Sequence, residues 1–159
     1  MLTILAADIG GTHCRFALFE AEPDNAEKPL LRIKNERWIP SADYASFADV
    51  LAALKEYGSD REPPIISVDH PAPQVAILAP AGPIRGEECH LSNVSWAVKA
   101  EDVRSCLGIR PVHLINDFAA QAYACLMPEN IDVIPIIYGQ AVPEAPVAII
   151  GAGPGFGTA

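Results

Sequence analysis

Positive charge is scarce in this chain. Its 159 residues carry 11 Lys and Arg against 20 Asp and Glu, a formal charge of −9 with a pI near 4.8. A field of that sign repels nucleic acid and anionic membrane surfaces, so a polyanion partner is excluded and a small-molecule partner is expected. A twenty-residue apolar run is also missing, and the N-terminus has neither the basic head nor the small-residue cleavage site of a secretory signal. No membrane association and a cytoplasmic location are the resulting expectations. Cysteine is sparse and scattered: Cys14, Cys89, Cys106 and Cys125 form no C-x-x-C pair, and His13, His70, His90 and His113 stand at no ligand spacing. A zinc site is excluded on that spacing, the thiols read as small hydrophobes in a reducing compartment, and no histidine is assigned to catalysis.

What is present is a half-hydrophobic chain of one domain's length, enough for a buried core. It is organised around LTILAADIGGTHCRFALF, residues 2–19. Two short apolar runs flank Asp8 and the Gly10-Gly11-Thr12 corner, a pattern that predicts two strands joined by a tight turn, with the paired glycines supplying positive φ. Backbone N–H groups at residues without Cβ can approach an anion closely, and the Thr12 hydroxyl adds a donor, so the corner is a phosphate-sized nest. Asp8, at the strand end beside it, is useful next to phosphates when a divalent cation lies between them. An ordinary hairpin with an aspartate at its corner is the plainer alternative, and short glycine motifs do not decide between the two.

Residues 20–28 read as an acidic solvated loop, and Leu30–Ile39 as a third strand whose charge makes it an edge. From Ser41 the spacing of Tyr44, Phe47, Val50, Leu51, Leu54 and Tyr57 predicts a packing helix that stops at Gly58. Four prolines stiffen residues 59–73; Val75–Ala79 is expected as a central strand buried on both faces, and Pro80-Ala81-Gly82-Pro83-Ile84 as a loop. A short strand over Cys89–Leu91 and a helix from about Lys99 to Leu107, ended by Gly108, follow. The strand Pro111–Ile115 then runs into Asn116-Asp117 and a helix over residues 118–127. That junction, a strand's carboxyl end against a helix's amino end, is where ligands bind in open α/β sheets, although either residue could merely cap the helix. A strand-like run at Ile131–Ile137 and a strand Pro146–Ile150 lead to a second glycine turn, Gly151-Ala152-Gly153-Pro154-Gly155-Phe156-Gly157. Two such nests could clasp a polyphosphate from both sides.

The ordered motifs DIGGT at 8–12 with Arg15, AGPI at 81–84 leading through LSNVSW at 91–96, LINDFAAQAYA at 114–124 and GAGPGFG at 151–157 resemble those of the bacterial glucokinases. That family belongs to the actin, Hsp70 and sugar-kinase superfamily. The resemblance implies an α/β ribonuclease-H-like (actin-like ATPase) fold with a mixed central sheet flanked by helices. Residues 1–127 would form a small amino-terminal domain and residues 128–159 the first strands of a second one. It also implies ATP- and magnesium-dependent phosphorylation of D-glucose at its 6-hydroxyl, the first step of glycolysis. By position, Asp117 resembles the general base, and Asn116 the residue bonding a neighbouring sugar hydroxyl, with Gly82, Pro83 and Asn93 shaping the sugar side. Asp8 resembles the residue that orients magnesium through water. Gly10, Gly11 and Thr12 resemble the first phosphate loop, and Gly151, Gly153, Gly155 and Gly157 the second.

Three departures accompany the likeness. His13 stands where the family commonly has asparagine, Pro154 where it commonly has threonine, and the family continues for roughly as many residues again. The expectation is therefore an amino-terminal portion, inactive by itself, with an unpartnered strand at 146–150 and an exposed apolar edge that gives association or marginal stability; a homodimer is expected of the parent protein. A non-catalytic sensor of sugar or nucleotide is the competing reading, and an Hsp70- or actin-like ATPase a third. The Asn116-Asp117 pair speaks against the last, since nucleotide hydrolysis alone does not require it.

Overall fold

A computed structural model of the chain describes residues 2–22, 30–58, 62–67, 72–91, 94–125, 134–140, 142, 145–152 and 156–158. The chain divides into two compact units, Met1–Asn116 and Asp117–Ala159.

The first unit is built on a five-stranded mixed sheet. Its strands are β1 (Leu2–Ile9), β2 (His13–Glu22), β3 (Leu30–Pro40), β4 (Val75–Pro80) and β8 (Val112–Leu114), in the order β3-β2-β1-β4-β8. The first three strands form an antiparallel meander, whereas β4 runs parallel to β1 and β8 parallel to β4. This is the expected ribonuclease-H-like arrangement, with β3 at the edge its charges predicted. A small antiparallel sheet of β5 (Ile84–Arg85), β6 (Glu88–His90) and β7 (Ala97–Lys99) completes the strands of the unit.

Alternation along the strands explains which face is buried. Leu5, Ala7 and Ile9 of β1, Phe16 and Leu18 of β2, and Ala76 and Leu78 of β4 all point into one core. That core is shared with α1 (Phe47–Ala53) and α2 (Ala100–Leu107), through Phe47, Val50, Leu51 and Val103. Each large apolar side chain removed from water contributes about 1.5–3 kcal/mol. Phe47 also stacks on Trp96 with ring centroids 5.9 Å apart, and the Trp96 indole N–H donates to the Tyr44 carbonyl at 3.2 Å. At the end of α2, Gly108 adopts φ +71° and its N–H donates to Arg104 O at 3.1 Å, the left-handed cap that glycine permits without a Cβ penalty.

Several expectations require correction. The helix predicted from Ser41 to Gly58 is shorter: Ser41–Asp43 form a 3-10 turn, and α1 starts only at Phe47, because the Ser46 hydroxyl accepts from the Asp49 N–H and caps it there. At the other end, the buried Arg37 donates to Ala53 O at 2.5 Å and Glu56 O at 2.8 Å, taking up the last carbonyl of α1 and one in the turn that follows it. The strand β4 is central but not buried on both faces, since Ile77 is exposed and alternates with buried Ala76 and Leu78. Gly10 does not take up a positive φ; a Cβ there would lie 3.2 Å from His13 O, so the requirement at this position is space.

The second unit contains α3 (Asp117–Cys125) and a hairpin of β9 (Ile150–Ala152) and β10 (Phe156–Thr158). The predicted strand over Pro146–Ile150 is displaced to Ile150–Ala152, and it has a partner: Ile150, Gly151 and Ala152 pair with Thr158, Gly157 and Phe156. Residues 134–137 form no strand, and the expected run from Ile131 begins outside the described residues. Ile134, Ile136, Ile137 and Val147 are exposed, but they lie in no strand and form no open strand edge of the kind expected at 146–150.

Candidate active site

The parallel strands β1, β4 and β8 bring their carboxyl ends to one edge of the first unit, and the predicted residues of that unit gather there. Asp8 is the next-to-last residue of β1, exposed, directly opposite Arg15 on β2 and Ala79 on β4. Arg15 in turn lies opposite Trp38 on β3, with its guanidinium 4.7 Å from the centre of the Trp38 ring and 3.4 Å from Glu36. The acid is therefore the first member of a cross-strand row, acid, base and aromatic, on the face of the sheet away from the core. His13 meets the edge of the Trp38 ring with centroids 6.2 Å apart, so this departure from the family pattern is a packing residue at the start of β2.

The glycine corner follows Asp8. The Gly10 N–H donates to His13 O at 2.9 Å, closing it. Next to it, the Ala81 N–H donates to Ile9 O at 2.9 Å, which ties the exit of β4 to the end of β1. Gly82 lies at that exit, and the reason for glycine is steric: a Cβ would come within 2.9 Å of both Cys89 Sγ and His90 O. The Asn116 amide donates to Gly82 O at 3.2 Å, so the residue two positions beyond β8 is fixed against the loop after β4. Asp8, Gly10, Gly11, Thr12, Gly82, Pro83 and Asn116 thus share one edge. Asn93, Gly153 and Gly155 lie outside the described residues.

The remaining predicted residues belong to the second unit. Asp117 opens α3, where its carboxylate is favoured by the positive end of the helix dipole. Gly151 and Gly157 face each other across the β9–β10 hairpin, in strands and not in a turn. A Cβ on Gly151 would lie 2.6 Å from the Phe118 ring, so the residue after Asp117 packs directly on this hairpin. Within this unit, the helix that presents Asp117 and the second glycine segment are seated on each other. Phe118 was not singled out in the sequence, where it is one aromatic among helical alanines.

A buried residue beneath the corner was missed as well. Ser41 is fully buried; its N–H donates to Thr12 O at 2.9 Å and its hydroxyl to Gly10 O at 2.8 Å. Cys14 Sγ lies 3.4 Å from the same hydroxyl, and burial pushes this thiol above its ordinary value of 9.0, against the Ser41 contact and with a smaller push from the Asp8 charge.

The donor set bears on a metal. Among the described residues no group of three or more His, Cys, Asp or Glu could hold an ion. One carboxylate, Asp8, beside a glycine corner fits magnesium that arrives with phosphates, since Mg²⁺ keeps several waters and takes one or two carboxylates together with phosphate oxygens. Among the described residues no helix is long and apolar enough to cross a membrane.

Comparison with known proteins agrees with this architecture. A family model described as Glucokinase matches residues 5–159. A glucokinase of Sinorhizobium fredii is 37% identical over 156 residues, covering 98% of this chain and 41% of that protein. One of Nostoc punctiforme is 34% identical over 157 residues, covering 99% and 42%. The chain thus spans about two-fifths of the length of the curated relatives it matches. Among solved structures, a glucokinase from an Antarctic psychrotroph superposes with a TM-score of 0.72 at 35% identity, covering 99% of this chain and 45% of that one. The Leishmania braziliensis glucokinase, at 19% identity and a TM-score of 0.53, shares the fold.

Proposed function

Starting from the fact that this chain belongs to the glucokinase family, we propose that the full-length protein transfers the γ-phosphoryl group of ATP to the 6-hydroxyl of D-glucose, the first step of glycolysis. The observation that carries this reading is the edge shared by Asp8, the Gly10–Thr12 corner, Gly82 and Asn116. Phosphoryl transfer asks a protein for positioning and charge neutralisation and for little covalent chemistry, so a base, a carboxylate for the metal and two backbone nests suffice.

In this account the Gly11 N–H and the Thr12 hydroxyl hold nucleotide phosphates, while the Gly10 N–H, bonded to His13 O, keeps the corner in shape, with Gly151, Gly153, Gly155 and Gly157 as the second nest. Asp8 would hold magnesium through water, and that ion when bound offsets the charge of the phosphates. Gly82, Pro83 and Asn93 line the sugar side, and Asn116 bonds a sugar hydroxyl. Asp117 accepts the proton of the attacking 6-hydroxyl. General-base catalysis of this kind contributes about 10²- to 10⁴-fold. The division into domains at residues 127 and 128, a cytoplasmic location and a homodimer belong to the same proposal. Because the chain spans about two-fifths of its relatives, the 159 residues assayed by themselves are expected not to turn over.

The test is glucose-dependent ADP release by the full-length protein and by Asp117→Asn. Release by the wild type and a loss of about 10²-fold or more in kcat in the variant, with glucose binding retained, is the expected outcome. Wild-type protein that binds glucose without releasing ADP would instead favour the sensor reading, in which Asp117→Asn leaves affinity intact.

A further inference from the structure

Ser41 lies 31 residues from Gly10 and 27 from Cys14 in sequence, yet its polar groups are spent on the first glycine corner. A fully buried hydroxyl needs partners, and here they are the Gly10 carbonyl at 2.8 Å and the Cys14 thiol at 3.4 Å, while the Ser41 backbone N–H takes the Thr12 carbonyl at 2.9 Å. Pro40, with φ −63°, leads the chain into this position on a fixed path. Both bonds to the corner are made to carbonyls. A carbonyl and the N–H of the following residue share one rigid plane and point in opposite directions. Holding the Gly10 carbonyl toward Ser41 therefore aims the Gly11 N–H away from the core.

We propose that Ser41 is a positioning residue of the first phosphate corner, acting through the Gly10 carbonyl to orient the Gly11 N–H toward the nucleotide phosphates. This rests on the reading of that corner as a phosphate nest. Within the corner the Gly10 N–H bonds His13 O, and Ser41 is the brace that joins it to the end of β3.

The experiment compares Ser41→Ala with Ser46→Ala in the full-length protein. Ser46 caps α1 five residues further on and touches no part of the corner, so it controls for a general loss of stability. Ser41→Ala is expected to raise KM for ATP about tenfold, with KM for glucose within twofold, whereas Ser46→Ala leaves both unchanged. A merely structural role would lower kcat through the folded fraction and leave KM for ATP alone. Wild-type KM for ATP in Ser41→Ala, or an equal rise in Ser46→Ala, overturns the proposal. If Ser41→Ala does not accumulate as folded protein, Ser41→Cys, which keeps the volume and weakens the donor, is read by the same two outcomes. Amide hydrogen exchange separates this proposal from the proposed activity. Exchange at the Gly11 N–H should change about tenfold in Ser41→Ala and not in Ser46→Ala. An unchanged Gly11 rate sinks the positioning role even in an active kinase, and an altered one supports it even if the wild type releases no ADP.

Discussion

The two units of this chain use apolar residues in opposite ways. Between Met1 and Asn116, Phe16, Phe47, Leu5, Ile9, Leu51 and Leu78 are fully buried in one core; between Asp117 and Ala159, no residue of α3 is fully buried and Ile136 is 91% exposed. Burial at about 25 cal/mol per Å² of apolar surface must offset about 1–2 kcal/mol of backbone entropy per residue. The first unit has the means to do so from its own side chains, and the described part of the second does not. The proposed chemistry is divided along the same line, with the carboxylate for the metal on the self-sufficient unit and the base at the start of the other.

Core truncation should expose that contrast most strongly. Phe47→Ala is expected to cost about 3–5 kcal/mol in urea unfolding of the chain, while Tyr123→Ala, at a position 66% exposed, should stay within about 0.5 kcal/mol. Equal costs would show that the second unit is packed as tightly as the first. A smaller effect is expected at the seam between scaffold and site. Gly82→Ala should destabilise by about 1–3 kcal/mol, because the new methyl has to displace Cys89 Sγ or the His90 carbonyl, and unfolding indistinguishable from wild type would contradict that packing.

The smallest effect concerns the thiols. Exposed Cys125 should be alkylated first and half-buried Cys106 next, with Cys14 and Cys89 protected until the protein opens, as followed by mass spectrometry. Burial favours the protonated form of Cys14, so its contribution to stability holds below about pH 9 and is lost as pH rises through the folded-state value. A Cys14 modified at the rate of Cys125 at pH 8 would show that the corner is open to solvent.

How much of this was legible in the sequence depended on the range of the forces involved. Short apolar runs around a glycine pair in Leu2–Phe19 announced the hairpin, the charges of Leu30–Ile39 announced an edge, and Gly108 announced the end of α2, because each signal is local. The helix at Ser41 was over-extended because its apolar spacing continued across residues whose backbone is held elsewhere, with Ser41 drawn into the corner and Ser46 taking the cap. The strand β7 escaped notice since three residues, Ala97–Lys99, carry no period. In the site, Asp8, the glycines and Asn116 could be found from strand ends and turns, while Ser41 and Phe118 could not. Their roles are set by contacts to Gly10 and Gly151, which lie 31 and 33 residues away.

The claim on which the rest depends is that the edge beginning at Asp8 receives the metal-bound phosphates. It is tested most directly by titrating magnesium and ATP against the full-length protein and its Asp8→Asn variant in the ADP-release assay. The variant should need at least about tenfold more magnesium for half-maximal rate while its KM for glucose stays near wild type. An Asp8→Asn protein with the magnesium dependence of the wild type would contradict it.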